Sequence, residues 1–312
     1  MFKIKYSKRE KKNALFAFAL LAFPILQFLV FYLYINLSSI TLSFLESDGT
    51  VGFGNFVKVW EGFRSSADDG LQMSLFRSMI TWAAGIFITF PLSVLFAYAL
   101  FKKILGEMAF RVIFFLPSIL GAVVMTTMYR YIVAADGPLL SMLTAIGIDL
   151  PPDILRDGLL GTSSSSFVTI LFYGYWLGLG SNIIVLTGAL TRIPKEIFES
   201  GKLDGVSFMR EFFSLTLPLI WPTLSTLLIF QMSGIFTADS GTFLLVGSGG
   251  QKGTSTIGFW LFDYLYRLSE SNAATRHFGY PAAVGLVLTV VTIPIVLVVR
   301  HFLEKGTDDM SY

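Results

Sequence analysis

The 312-residue chain has no cysteine, so it can build neither a disulfide framework nor a thiolate metal site. Histidine is almost as scarce. His277 and His301 stand far apart, and each reads as an interfacial side chain rather than a metal ligand. Charge is thin as well: Asp, Glu, Lys and Arg make up 14% of residues, against about 25% in soluble domains. With 54% hydrophobic residues and a mean hydropathy of +0.69, the main solvent is expected to be lipid. The net charge of +2 is not gathered into one basic stripe, which leaves no case for a nucleic-acid partner.

What is present is a series of long apolar runs. Residues 1–13 form a basic tail with Lys3, Lys5, Lys8, Arg9, Lys11 and Lys12, and an apolar run follows over 14–37. A signal peptide would have a core of about 7–15 residues and a small-residue cleavage site, so this run reads as an uncleaved first span. Further runs centre on 79–100, 108–133, 167–190, 217–238 and 281–303. Each reaches about 20 residues, enough for a hydrocarbon core of about 30 Å. The expected fold is all-α, with six transmembrane helices over 14–303 and a tail over 304–312. Pro24, Pro91, Pro117 and Pro294 fall inside the runs, where membrane helices tolerate them. Gly174 and Gly178 form a small-xxx-small pair that would admit a close neighbour.

Lys and Arg set the expected orientation. With the N-terminus inside, the cytoplasmic segments hold fifteen of the 23 basic residues, including Lys102, Lys103 and Arg111, then Arg192, Lys195, Lys202 and Arg210, then Arg300 and Lys305. Both termini and the loop over 190–216 are therefore expected in the cytoplasm. Segments 38–75, 135–166 and 240–278 are expected outside. They are too short for separate enzyme domains, and Asp48, Asp68, Asp69, Asp136, Asp149, Asp153 and Asp157 make the first two acidic.

The stretch over 193–222 is the one long, charge-dense segment between two membrane-length runs. It reads as two short helices joined by a turn. Pro194 opens the first helix, with Glu196 and Glu199 where the dipole favours acids. Asp204-Gly205 breaks it. A second amphipathic helix then places Phe208, Phe212 and Leu215 on one side and Arg210, Glu211 and Ser214 on the other, before Leu217-Pro218 and Pro222 lead into lipid.

These residues carry a resemblance. Glu199, Gly205 six positions on, Leu215 ten further, then Leu217 and Pro218 are similar in spacing to the EAA loop of ABC importer permeases, whose pattern is Glu-Ala-Ala, Gly, Ile, Leu-Pro. Ser200 and Gly201 stand where that pattern has two Ala, and Leu215 where it has Ile. Gly52-Phe53-Gly54-Asn55-Phe56 is similar to a Gly-x-x-Asn-Phe segment after the first span of carbohydrate-type permeases. The run 121–138, with Tyr129, Arg130 and Gly137, resembles their third span and its exit.

The resemblance implies a bacterial inner-membrane permease that translocates a sugar, oligosaccharide or glycerol phosphate. It implies pairing with a second permease, a heterodimer being the expected form, or with a copy of itself. It also implies two cytoplasmic ATPases that bind ATP and Mg, none of it held by this chain, and an extracytoplasmic solute-binding protein. On this reading Glu199, Ser200, Gly201, Asp204, Gly205, Phe208, Phe212, Leu217 and Pro218 form the ATPase-coupling site, with Glu199 in polar contact and Gly205 shaping the turn.

Sugar recognition combines aromatic faces with amide and hydroxyl groups. Tyr173, Tyr175, Trp176 and Asn182 on the fourth span and Gln231 and Ser233 on the fifth are candidates for the substrate path, set against the ordinary use of such residues at membrane interfaces and between helices. The alternative is an ion-coupled secondary transporter, which would place acids, His or a broken helix near the membrane midplane. The spans hold almost none, with Glu107, Asp136 and Asp239 near their ends. Segment 243–254 superficially resembles a phosphate loop, but Gly253 separates Lys252 from Thr254. The run Thr162 to Ser166 lacks a neighbouring His and reads as a loop and helix cap rather than a catalytic group, so no enzyme activity is expected.

Overall fold

The computed structural model describes residues 8–65, 67, 70–250, 253–270 and 277–308. Lys3 and Lys5 of the basic tail, Asp68, Asp69, Lys252 and positions 309–312 of the expected C-terminal tail lie outside the described residues. Among the described residues no sheet forms; an isolated antiparallel bridge pairs Leu45 with Val51. Among the described residues four helices are long and apolar enough to cross a membrane, or six if each of two sharply bent pairs is one span.

The chain divides into two units, Met1–Trp60 with His277–Val287 and Glu61–Arg276 with Leu288–Tyr312. In the first, α1 runs over Lys8–Gln27, widens into a π-helical stretch at Phe28–Tyr34 and continues over Ile35–Ser43. No residue of its most apolar window is buried, a surface suited to lipid or another helix. The Gly-Phe-Gly-Asn-Phe segment has a clear local purpose. Buried Asn55, on α2 (Gly54–Arg64), donates its amide to the carbonyls of Ser43 (3.1 Å), the last residue of α1, and Leu45 (2.8 Å) just past it. Glu46 accepts the Gly54 N–H at 2.8 Å, and its carboxylate lies where a Cβ on Gly52 or Gly54 would stand. Phe44 packs between Phe53 and Phe56, with centroids 5.4 and 5.0 Å away. Asn55→Leu strands two acceptors, and is expected to lower stability by about 1–3 kcal/mol, read from thermal inactivation in detergent.

The second unit contains α3, which spans Leu71–Phe101, α4 (Glu107–Ile119), α5 (Ala122–Ile132), α6 (Pro138–Ala145), α7 (Pro152–Gly161) and α8 (Ser166–Leu190). It continues with α9 (Lys195–Leu203), α10 (Phe208–Leu219), α11 (Trp221–Ser233), α12 (Thr242–Val246) and α13 (Ile257–Glu270). The last helix, α14 (Gly279–Asp308), is divided between the two units.

The expected third and fifth spans differ from straight helices. Between α4 and α5 the axis turns by 111°, across extended residues Leu120 and Gly121, and between α10 and α11 by 73° at Ile220. Pro117 precedes the first break, and Pro222 in the first turn of α11 follows the second. Proline removes a helical donor and crowds the preceding turn, which is why both breaks lie beside one.

Helix α8 is the axis of packing. Its lower half, with Ile183, Leu186 and Leu190, joins Val94, Ala97 and Leu100 of α3, Phe114 of α4 and Leu224 of α11 in one buried cluster. Its upper half, with Ile170 and Tyr173, joins Met125 and Tyr129 of α5 and Leu245 of α12 in another. Gly174 of the small pair meets Ser240 so closely that a Cβ would lie 2.2 Å from its hydroxyl, whereas Gly178 faces open space.

Candidate functional site

The central loop is built from α9, a turn and α10. Helix α9 buries Phe198 and Gly201 and leaves Glu196, Glu199, Ser200 and Lys202 exposed. Gly201 lets the helix lie close to α10. A Cβ there would stand 3.2 Å from Leu215 Cδ1, tighter than ordinary contact, but against the movable end of a side chain. Gly201→Ala is therefore expected to keep uptake within about twofold, because the helix propensity gained, about 1 kcal/mol, offsets the small displacement.

The end of α9 explains Asp204-Gly205. Gly205 has φ +68°, its N–H bonds the Lys202 carbonyl at 3.1 Å, and the next N–H, of Val206, reaches back to Gly201 at 3.0 Å. These are the two bonds of a Schellman terminus, which needs a left-handed residue where Gly205 stands. Leu203, the last residue of α9, is 90% exposed, and Phe208 and Met209 beyond the turn are also exposed, so the loop presents an apolar tip.

The start of α10 departs from the expected pattern. Glu211, expected on the polar face with Ser214, is buried, as are Phe212 and Thr216, while Phe208 is exposed and Leu215 only partly covered. The cause is a π-helical stretch at Glu211–Thr216, whose i→i+5 bonding rotates the inward face from 208, 212 and 215 to 211, 212 and 216. Glu211 accepts the Tyr98 hydroxyl at 2.9 Å and forms an ion pair with Lys102. The Lys102 ammonium also lies 4.5 Å from the Phe198 ring centroid, and Tyr98 packs on Phe208 and Phe212 at 5.1 and 4.9 Å. Sequence reasoning missed this cluster, since its one signal is a lone acid beside aromatics. Of the remaining loop residues, Leu217 and Pro218 are partly buried on α10, next to the bend at Ile220.

The candidate path residues separate into groups. Tyr173 is buried, its hydroxyl 3.0 Å from that of Thr126 and its ring 4.9 Å from that of Tyr129. That hydroxyl is committed inside the helix packing. Tyr175 donates to the Thr81 carbonyl at 2.9 Å and Trp176 to that of Ile113 at 3.3 Å. Both line a largely apolar cavity of about 1040 Å³ with Leu92, Phe172 and Ile132. Asn182 and Gln231 are half-buried away from it, and the exposed Ser233 hydroxyl bonds the Phe230 carbonyl of its own helix.

Other candidate chemistry resolves into structure. In the phosphate-loop look-alike, Asp263 accepts from the Gly249 N–H at 2.8 Å and the Ser248 hydroxyl at 3.1 Å and pairs with Arg267, so these donors face a carboxylate. Ser165 and Ser166 do not cap α8; their hydroxyls turn back to the Leu159 and Leu160 carbonyls at the end of α7, each at 2.8 Å. Asp239 accepts the Thr242 hydroxyl at 2.6 Å just ahead of α12, and Glu107 pairs with Arg111. In the acidic segments 38–75 and 135–166, hydrogen bonds from Thr50 to Asp48 and from Arg156 to Asp157 hold both carboxyls below the usual range, so they stay charged near neutral pH.

Comparison with known proteins places this arrangement. The chain is 25% identical over 298 residues, 95% of its length and 98% of the relative's, to the multiple sugar-binding transport system permease protein MsmF of Streptococcus mutans. It is also 25% identical over 276 residues, 88% of its length and 84% of the relative's, to the arabinooligosaccharides transport system permease protein AraP of Bacillus subtilis. A chain of a bacterial alginate ABC transporter, solved in complex with alginate pentasaccharide-bound periplasmic protein, shares the fold: TM-score 0.77 over 96% of this chain and 97% of that one, at 22% identity. Residues 72–307 match the model of the binding-protein-dependent transport system inner membrane component. With three quarters of its length inside that match, the chain belongs to the family of inner membrane components of binding-protein-dependent transport systems.

Proposed function

We propose that this chain is the carbohydrate-translocating permease of an ABC importer, paired with a second permease subunit and driven by two cytoplasmic ATPases that bind ATP and Mg. Its solute, a sugar or oligosaccharide, is delivered by an extracytoplasmic binding protein. The observation that carries the reading is family membership over 72–307, a region that includes an exposed loop helix ending in an apolar tip. The sugar-related names of MsmF and AraP and the alginate importer support the solute class. The chain acts by conformational change and carries out no catalysis of its own. ATP-driven closure of the ATPases displaces α9 as a rigid body, and the spans rock between inward- and outward-facing states.

The two bent spans are a feature that ion-coupled carriers also use. Here residues 118–121 and 220, at the breaks, include no acid and no His to handle an ion. The importer reading therefore stands ahead of the carrier.

Deleting the gene and measuring uptake of labelled mono- and oligosaccharides tests the solute class: one carbohydrate is expected to lose high-affinity uptake, and an unchanged carbohydrate panel contradicts it. The absence of native cysteine makes orientation directly measurable. A membrane-impermeant maleimide on intact spheroplasts is expected to label Asp153→Cys and spare Lys195→Cys, both exposed positions. The reverse labelling would put the loop on the wrong face for any ATPase.

A further inference from the structure

Three elements meet at one cation. Lys102 follows the last turn of α3, four residues after Tyr98, so both side chains lie on the same face of that helix. From there Lys102 pairs with Glu211 of α10 and covers the Phe198 ring of α9, while the Tyr98 hydroxyl donates to the same Glu211 carboxylate. Phe198 and Gly201 are the buried side of α9, so the face that holds α9 to the protein includes a residue against Lys102. The ring contacts of Tyr98 with Phe208 and Phe212, and of Phe198 with Phe101, are only weakly directional and shift at little cost. A buried carboxylate held by an ammonium and a phenol is directional, and parting it leaves a desolvated charge without its partners.

We propose that Tyr98, Lys102 and Glu211 form a transmission joint that locks the central loop to the end of α3, so that displacement of α9 and α10 is passed to that span. Phe198 completes the joint by seating α9 on the Lys102 ammonium. The three polar residues are positioning residues for the transport cycle and touch neither solute nor nucleotide. This rests on the reading that the loop meets ATPase subunits, and the test below separates the two.

The test uses the intact transporter, purified with its native partner subunits and reconstituted in proteoliposomes, with solute moved per ATP hydrolysed as the readout. Glu211→Gln and Lys102→Met keep side-chain volume and remove the ion pair. Each is expected to lower that ratio at least about fivefold, with ATPase subunits still bound at wild-type stoichiometry, and the charge-swapped double variant Lys102→Glu/Glu211→Lys is expected to recover much of it. Bridging Lys102→Cys/Glu211→Cys with a short bifunctional thiol reagent is expected to restore the ratio relative to the unbridged form. This comparison is made within one folded preparation and is independent of variant stability. An unchanged ratio in the single variants, or a bridge that stops transport, overturns the joint, because the two elements then move apart during the cycle. Loss of the ATPase subunits from the single variants also overturns it, by assigning the cluster to docking. A wild-type chain that purifies without any ATPase overturns the importer reading itself.

Discussion

Replacing Gly205 by Val is expected to cut solute uptake about 5- to 30-fold while the amount of protein in the membrane stays unchanged. Its backbone sits at φ +68°, and nothing lies within 4 Å of where a Cβ would be, so the effect comes from the backbone rather than from crowding. An L-residue in that conformation costs about 1–2 kcal/mol, and a β-branched one is the least tolerant. At about 1.4 kcal/mol per decade, that shifts the equilibrium between the formed and the frayed end of α9 by about 5- to 30-fold, and uptake is expected to follow it. Gly205→Asn is the control. Asn visits the left-handed region readily, so it is expected to retain most of the uptake. Wild-type uptake in Gly205→Val, or equal loss in both variants, would remove the turn from the mechanism.

The second large effect concerns the apolar tip. Leu203 is 90% exposed at the end of α9, close in sequence to Phe208 and Met209. A soluble partner that covers Leu203 gains about 1.5–3 kcal/mol, and an acid in its place must be desolvated instead. Leu203→Asp is therefore expected to weaken ATPase association at least about 30-fold, the effect of an interface hot spot of about 2 kcal/mol. Glu199→Ala removes the polar contact proposed for this exposed residue, and a loss of about tenfold or less is expected. Binding of purified ATPase to detergent-solubilised permease measures both. Unchanged affinity in Leu203→Asp would place the docking surface elsewhere.

Much of this architecture was legible in the residues. Apolar runs of membrane length gave the span positions, because few side chains other than apolar ones suit lipid. Asp204-Gly205 gave the turn, since a positive φ beyond a helix end favours Gly. Two things were harder to read. Pro117 and Pro222 stand beside the breaks but do not show that the helices bend by 111° and 73°, because the size of a bend is set by which neighbours donate to the freed carbonyls. The inward face of α10 was misread because a period of 3.6 residues groups Phe212 with Phe208 and Leu215, whereas the wider turn aligns Glu211 with Thr216 and buries both beside Phe212. The ion pair with Lys102 links residues more than a hundred positions apart, and sequence periodicity does not reach that far. Tyr173 illustrates the reverse case: it is of a residue type suited to sugar recognition, but its hydroxyl and ring meet Thr126 and Tyr129 in the packed interior.

The central claim is that this chain works as the membrane subunit of an ATP-driven importer through its exposed loop. Purifying the tagged chain from mild detergent, expressed with its native neighbours, and assaying the co-purifying proteins for ATP hydrolysis tests it most directly. The expected result is a stoichiometric ATPase whose association weakens when Glu199 and the Asp204-Gly205 turn are altered. A chain that purifies alone and moves carbohydrate in ATP-free vesicles under an ion gradient would contradict it.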